Sequence, residues 1–361
     1  MRKHIQRFRQ TLLAWAQEQN RPMPWKGETD PYLIWLSEII LQQTRVEQGW
    51  AYFLKFKNTF PTVHDLAAAA EQDVLKLWEG LGYYSRARNL HHTAQHISRQ
   101  LNGRFPDSYE GILQLKGVGP YTAAAISSFA FGLPHAVVDG NVYRVLSRIF
   151  GIATSIDTTA GKQAFSTLAQ DLLDPEAPGI YNQAIMDFGA TQCTPKSPAC
   201  GTCPFTSDCI AQQQQRQEEL PVKSKKLQKR DRFFHYLILE NKAGEIWIRQ
   251  RGDGDVWQGL FDFPLIESPQ LHTELEALGQ EDPWVKVLKD KAVKLKRRSR
   301  TFKQTLSHQH IWAHFFELQY EGRIALEALG ATRIPRKNIQ NYPKPKIVDL
   351  YLRDNSLILD L

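Results

Sequence analysis

Four cysteines lie within a single short stretch, at Cys193, Cys200, Cys203 and Cys209, and the rest of the chain has none. A disulfide framework would scatter its thiols through the fold. Four thiols gathered in one loop read instead as one metal or cluster site in a reducing compartment. Thiolates are soft ligands that suit an iron–sulfur cluster or zinc. Zinc sites commonly pair two short Cys-x2–4-Cys knuckles. Here the spacing is Cys-x6-Cys-x2-Cys-x5-Cys, with a single short knuckle, and Pro195, Pro198 and Pro204 stiffen the loops between ligands.

The chain around this loop has 361 residues, room for two domains with separate cores. Hydrophobic residues make up 42% and charged residues 23%, an ordinary globular composition. The net charge of +7 suits a polyanionic partner without requiring one. No apolar run approaches the roughly 18 to 20 residues of a membrane helix, so no membrane partner is expected. The Arg-containing, amphipathic segment Met1 to Asn20 lacks a small-residue cleavage site and reads as a first helix rather than a transit peptide.

Residues 1 to about 190 read as helices joined by short turns. Asp30-Pro31 sets an N-cap before a proline at the first helical position. Helical spacing then runs from Tyr32 to about Phe56 as one apolar run. Further helices are predicted to start near Val63, Glu71, Ser85, Ser108, Tyr121, Asn141, Ala160 and Ile180. The polar stretch 213–230 reads as a linker. Beyond it, Phe233–Leu239 and Glu245–Arg249 read as strands around a turn at Lys242–Gly244. The expected organisation is a multidomain chain: an all-α domain over 1–212 that includes the cysteine loop, the linker, and an α/β domain over 231–361.

Two further patterns carry chemistry. In Leu115-Lys116-Gly117-Val118-Gly119-Pro120-Tyr121, two glycines allow a tight turn with outward N–H groups, and Pro120 can open the next helix. The backbone of Gly117, Val118 and Gly119 can then hold a DNA phosphate. The other pattern is a pair of carboxylates. Glu38 sits within Trp35-Leu36-Ser37-Glu38-Ile39-Ile40-Leu41. Buried there, its pKa would rise and suit a general acid; on a solvated stripe it would pair with Gln42 or Arg45. Asp139 precedes Gly140-Asn141 at a helix start, where an N-cap is the ordinary role. Helix-start N–H groups would also keep it ionised. Breaking an N-glycosidic bond needs one carboxyl of each kind, since the base must be protonated while the sugar becomes positive.

The cysteine spacing resembles that of the endonuclease III superfamily of DNA glycosylases, and the Gly-x-Gly turn resembles its helix-hairpin-helix motif. Trp35 to Thr44, Gly82 to Arg88 and Val138 to Val142 resemble the adenine DNA glycosylase family, and the likeness covers essentially the whole chain. That resemblance implies a helix-hairpin-helix glycosylase domain whose four cysteines ligate a [4Fe–4S] cluster with a structural and DNA-docking role, helped by Lys196. It implies an enzyme that removes adenine opposite 8-oxoguanine or G in double-stranded DNA. Glu38 would protonate adenine N7. Asp139 would stabilise the oxocarbenium ion, electrostatically or through a transient bond, with Tyr121 and Asn141 assisting. Arg21, Leu41 and Gln183 would contact the flipped adenine, and Gln43 and Tyr83 would wedge the duplex. The bifunctional relatives that also cut the backbone carry a Schiff-base lysine where Tyr121 stands, so monofunctional chemistry is implied.

Trp257 to Pro264 resembles Nudix-like domains, but no helix with the magnesium-holding Glu pattern follows. Glu274 to Gly279 stands at a suggestive distance and lacks its core. The domain is therefore expected to recognise 8-oxoguanine, with Ser307 and His308 in the reading loop. Nine Lys or Arg residues between Lys286 and Lys303 are expected to meet phosphates. The rival readings are an endonuclease III-like glycosylase/AP lyase for oxidised pyrimidines, a non-catalytic lesion sensor, and a zinc-ribbon DNA-binding protein. A monomer in a bacterial cytoplasm, associated with the nucleoid, is expected.

Overall fold

The computed structural model describes residues 2–19, 21–224, 228–278, 282–288, 293–322 and 324–356. In chain order the helices are α1 (Arg2–Glu18), α2 (Pro31–Leu41), α3 (Val46–Thr59), α4 (Val63–Ala68), α5 (Glu71–Leu77), α6 (Ser85–Gln100), α7 (Tyr109–Leu113), α8 (Pro120–Phe131), α9 (Gly140–Ile149), α10 (Thr159–Leu172), α11 (Pro178–Asp187), α12 (Ile210–Gln213), α13 (Pro283–Leu288) and α14 (Lys346–Ser356). The eight starts predicted from Val63 onward each fall within two residues of an observed one.

The run from Tyr32 to Phe56 is not one helix. It breaks between α2 and α3, where Thr44 N–H bonds back to the Leu41 carbonyl and Gln43 takes a left-handed φ of 57°. Apolar spacing continues across this turn, so periodicity alone does not reveal it.

The described chain divides into two compact units, Met1–Ala68 with Asn89–Lys226, and Ala69–Arg88 with Leu227–Leu361. The grouping departs from chain order, because the segment containing α5 belongs with the C-terminal residues. Arg88 Nη1 donates to the Gln258 carbonyl at 2.7 Å, and Lys344 pairs with Glu79 at 3.2 Å.

In the first unit, α2 is buried from Tyr32 to Ile40, as a helix apolar all round must be. It packs on α8, which is buried from Thr122 to Ser128 and whose side chains there, Ile126 apart, are small and permit close approach. Phe8, Leu12 and Trp15 recur along one face of α1 and join Val142, Val145, Leu146 and Ile149 of α9 in a common core. Phe205 of the cysteine loop stacks on Phe8 with centroids 5.0 Å apart, which seats that loop on the same core.

The second unit is built on a mixed sheet of β1 (Arg230–Glu240), β2 (Glu245–Gln250), β3 (Phe261–Asp262), β4 (Leu265–Ser268), β5 (Val293–Arg298), β6 (Phe302–Thr305), β7 (Gln309–Tyr320) and β8 (Ala331–Pro335). Its centre is the parallel pair β1 and β7, in register from Arg230 opposite Gln309 to Glu240 opposite Gln319. Both faces are covered, which explains the unbroken apolar run in β1. Leu237, Leu239, Phe316 and Leu318 fill one side, and Tyr351 of α14 stacks on Phe315 at 4.0 Å on the other. Residues 289–292 of the basic stretch and Gly279 of the Nudix-like stretch lie outside the described residues. The described part of the latter forms only a 3-10 turn, Leu275–Ala277.

Candidate active site and cluster loop

Glu38 projects from α2 with only 6% of its surface exposed. Burial pushes its carboxyl up to about 7; the Tyr121 hydroxyl, donating to it, pulls it down, and nearby Asp139 pushes it up. Tyr121 Oη also lies 3.4 Å from Met186 Sδ, but a thioether is the weaker acceptor. Among the described residues no cation offsets this burial, which leaves the group as a proton store near neutral pH. Its solvated alternative, pairing with Gln42 or Arg45, is not what the structure holds.

Asp139 is the N-cap of α9. Its carboxylate accepts from Val142 N–H at 2.8 Å and from Asn141 Nδ2 at 2.7 Å. The sequence places helix-start donors on this carboxyl to keep it ionised. Burial raises it, and those donors, from Val142 and Asn141, together with Arg144, pull it back down. The donors are present as expected; the desolvation depends on tertiary packing. The Asn141 amide is oriented by Arg144, whose Nη2 donates to Asn141 Oδ1 at 2.8 Å and to the Gly189 carbonyl at 2.6 Å. Arg144 Nε reaches the Cys193 carbonyl at 2.7 Å. A Cβ on Gly189 would come within 2.6 Å of Asn141 Cβ, so glycine is required where the two segments meet.

A cavity of about 800 Å³ opens beside Glu38, with Trp15, Trp25, Ile34, Gln183 and Asp187 among its walls. Arg21 Nη1 pairs with Asp187 Oδ1 at 2.7 Å. Asp187, a buried carboxylate, went unrecognised in the sequence because nothing local sets it apart from any acidic residue ending a helix. Leu41 lies against Gly49, where an added Cβ would meet its Cδ2 at 2.7 Å. Gln43 occupies the turn after α2. Tyr83, grouped with the second unit, is 45% exposed with φ 48°. Its loop is braced by Trp78 Nε1, which donates to the Gly82 carbonyl at 3.0 Å. Strained, exposed side chains of this kind mark functional loops, and their backbone angles are not legible in sequence.

The hairpin from Leu115 to Tyr121 closes as expected. Gly117 has φ 84° and Pro120 opens α8 with no side-chain cap, but the Val118 N–H, expected to face outward for phosphate, turns inward to the Leu115 carbonyl at 3.0 Å because it closes the turn. Helix-start N–H groups of α8 are thus left for an anion. In the second unit, Ser307 and His308 are exposed at the tip of the β6–β7 hairpin. Their Oγ and Nδ1 atoms are 3.1 Å apart.

The four cysteines line one small cavity with Arg148. Among the described residues no three His, Cys, Asp or Glu side chains are spaced to hold a single metal ion. The arrangement fits a cluster, whose sulfur ligands stand further apart, better than one tetrahedral zinc. Burial and the neighbouring thiols push Cys203 up to about 11, so a thiolate there needs the positive charge that iron supplies. Arg148 donates to Cys193 Sγ at 3.5 Å, to the Thr194 and Pro195 carbonyls at 2.7 and 3.1 Å, and to the Leu220 carbonyl at 3.1 Å.

A helical unit with a hairpin and a four-cysteine loop, followed by a sheet domain, defines a class. Residues 36–170 match the HhH-GPD superfamily of base excision DNA repair proteins, 193–209 the iron–sulfur binding domain of endonuclease III, and 235–354 the NUDIX domain. A solved thermostable thymine-DNA glycosylase is similar at 30% identity and TM-score 0.55, covering 59% of this chain and 98% of its own. A trapped endonuclease III–DNA intermediate, at 20% identity and TM-score 0.53 over 60% of this chain and 98% of its own, shares the fold. An adenine DNA glycosylase of Buchnera aphidicola is 33% identical over 87% of this chain and 85% of its own length. The human adenine DNA glycosylase is 44% identical over 59% of this chain, which spans only 41% of that relative. The chain belongs to the adenine DNA glycosylase family, and its four cysteines hold a [4Fe–4S] cluster.

Proposed function

We propose that this protein is a monofunctional DNA glycosylase that flips adenine out of a pair with 8-oxoguanine, or with G, and hydrolyses its N-glycosidic bond. The observation that carries this reading is the pair of neighbouring buried carboxyls, Glu38 held by the Tyr121 hydroxyl and Asp139 surrounded by donors. With adenine in the cavity, the Glu38 carboxyl gives its proton to N7, and the electron pair of the C1′–N9 bond leaves with the base. Positive charge then builds on the sugar opposite Asp139. Its carboxylate is aimed by Val142 and Asn141, and its charge needs no reorganisation during the step. Water, or Asp139 followed by water, completes the sugar. Tyr121 has no amine with which to form a Schiff base, which supports release of the base without strand scission.

The hairpin tip at Ser307 and His308 is the reader of 8-oxoguanine in this proposal. The basic strand β5 and the cluster loop contribute phosphate contacts. With DNA as its substrate, the protein would act as a monomer at the bacterial nucleoid. The test of the acid is Glu38→Gln: adenine release stops while the duplex is still bound. Full activity in that variant would refute the assignment.

A further inference from the structure

The cavity beside Glu38 is larger than one flipped base requires, and it runs away from the reacting groups. Helices α8 and α11 lie antiparallel. At one end Tyr121 meets Met186. At the other, Asn182 Nδ2 donates to Ser128 Oγ at 2.9 Å, and a Cβ on Gly179 would lie 2.9 Å from the Ser128 carbonyl oxygen. The cavity wall follows this groove from Glu38 and Asp187 to Phe129, Gly132 and Ile180. Met186 and Gly179 are seven residues apart on α11, so the two ends are separated by about 10 Å.

The ends differ in character. The near end adjoins the hairpin that offers N–H groups to phosphate. The far end is bordered by Gly132, Glu176 and Ile180, all exposed, while Lys26, also on the cavity wall, lies 4.0 Å from Asp187 toward the near end. Glu28 of the wall is paired with Lys57 at 3.7 Å, and exposed Glu176 makes this rim a poor entrance for a phosphate backbone. Ile180, at 67% exposure, is the most solvent-facing of the large apolar residues found exposed among the described ones. Between the ends stand Trp15, Trp25 and Ile34, flat or apolar surfaces suited to a neutral aromatic molecule.

We infer that the far end is a rear mouth through which the free purine base leaves while the abasic duplex still occupies the front. The inference rests on the adenine-releasing function proposed above. It adds that product departure is ordered: base first and by its own route, DNA second. Exposed Ile180 forms an apolar rim that a planar base can slide past without exchanging hydrogen bonds.

The test uses free 2-aminopurine, a fluorescent purine, with the full-length cluster-loaded protein. Its dissociation rate is measured with and without a bound duplex carrying a tetrahydrofuran abasic analogue opposite 8-oxoguanine. With a rear mouth, the bound duplex changes that rate by less than about threefold, and Ile180→Trp slows exchange in the ternary complex by about tenfold or more, whereas Ile180→Ala does not. Sealing of the base inside by the duplex, absence of 2-aminopurine binding, or an Ile180→Trp rate equal to wild type would each overturn the inference. Adenine release by the same wild-type preparation is scored separately. Failure there refutes the proposed function, while release with sealed exchange refutes only the rear mouth.

Discussion

Glu38 and Asp139 are both desolvated, and their donors separate them. Glu38 has the Tyr121 hydroxyl alone, whereas Asp139 has a backbone N–H, an amide oriented by Arg144 and the helix start itself. A group poised near 7 as an acid loses its proton as pH rises, so single-turnover adenine release should fall as pH climbs through about 7. A flat profile from pH 6 to 8.5 would contradict that role. Stability follows the same proton. The folded-state pKa of Glu38, about 7, lies above its ordinary 4.5. Its contribution is therefore full at low pH and lost as pH rises through about 7. Glu38→Gln removes a buried charge at pH 8, and its melting temperature should exceed that of wild type there by about 2–4 °C per kcal/mol recovered, with little difference at pH 5. Asp139→Asn keeps an N-cap side chain but loses the charge, so release should drop by at least about 10²-fold with the melting temperature nearly unchanged. Both carboxyls were legible in sequence, one as an acid set in an apolar run and one as a cap. The rise at Asp139 and the Arg21–Asp187 pair were not, because both arise from residues far apart in the chain.

Among elements, the cysteine loop and the hairpin were the most legible, since each is local and its spacing dictates its geometry. The break between α2 and α3 was hidden because both sides of it are apolar at helical spacing. Arg148 was equally hidden: its partners are backbone carbonyls, which no sequence pattern records. Arg148→Ala would leave the Thr194, Pro195 and Leu220 carbonyls without their donor, at about 1–3 kcal/mol for each that stays buried. The variant should carry less iron per chain and lose its visible absorption at lower denaturant. Undiminished iron content would show that the loop holds itself without Arg148. At the hairpin, Gly117 has φ 84° and an added Cβ would press on Asn89 at 2.8 Å. Gly117→Ala should weaken binding to lesion-bearing and undamaged duplexes alike, as loss of a phosphate contact does. Selective loss on one of them would contradict a purely backbone role.

At the scale of the molecule, the helical and sheet architectures were visible in the change of periodicity near residue 230. The affiliation of residues 69–88 with the C-terminal residues was not, because Glu79 and Arg88 find Lys344 and Gln258 across a long stretch of chain. Substitution at the β6–β7 tip is therefore a cleaner probe of reading than truncation near residue 225, which strips Glu79 and Arg88 of those partners. Ser307→Ala with His308→Ala should narrow the preference for adenine opposite 8-oxoguanine over adenine opposite G while leaving the slower reaction unchanged. The central claim, hydrolysis of the adenine glycosidic bond without strand scission, is tested most directly by one single-turnover measurement. Wild-type protein is mixed in excess with duplexes carrying A opposite 8-oxoguanine, A opposite G, or thymine glycol opposite A, and free base and strand breaks are quantified before any alkali or heat. The expected result is free adenine from the first two duplexes, fastest from the first, with intact strands and no action on the third. Strand breaks appearing at the rate of base release, or attack on thymine glycol with adenine untouched, would contradict it.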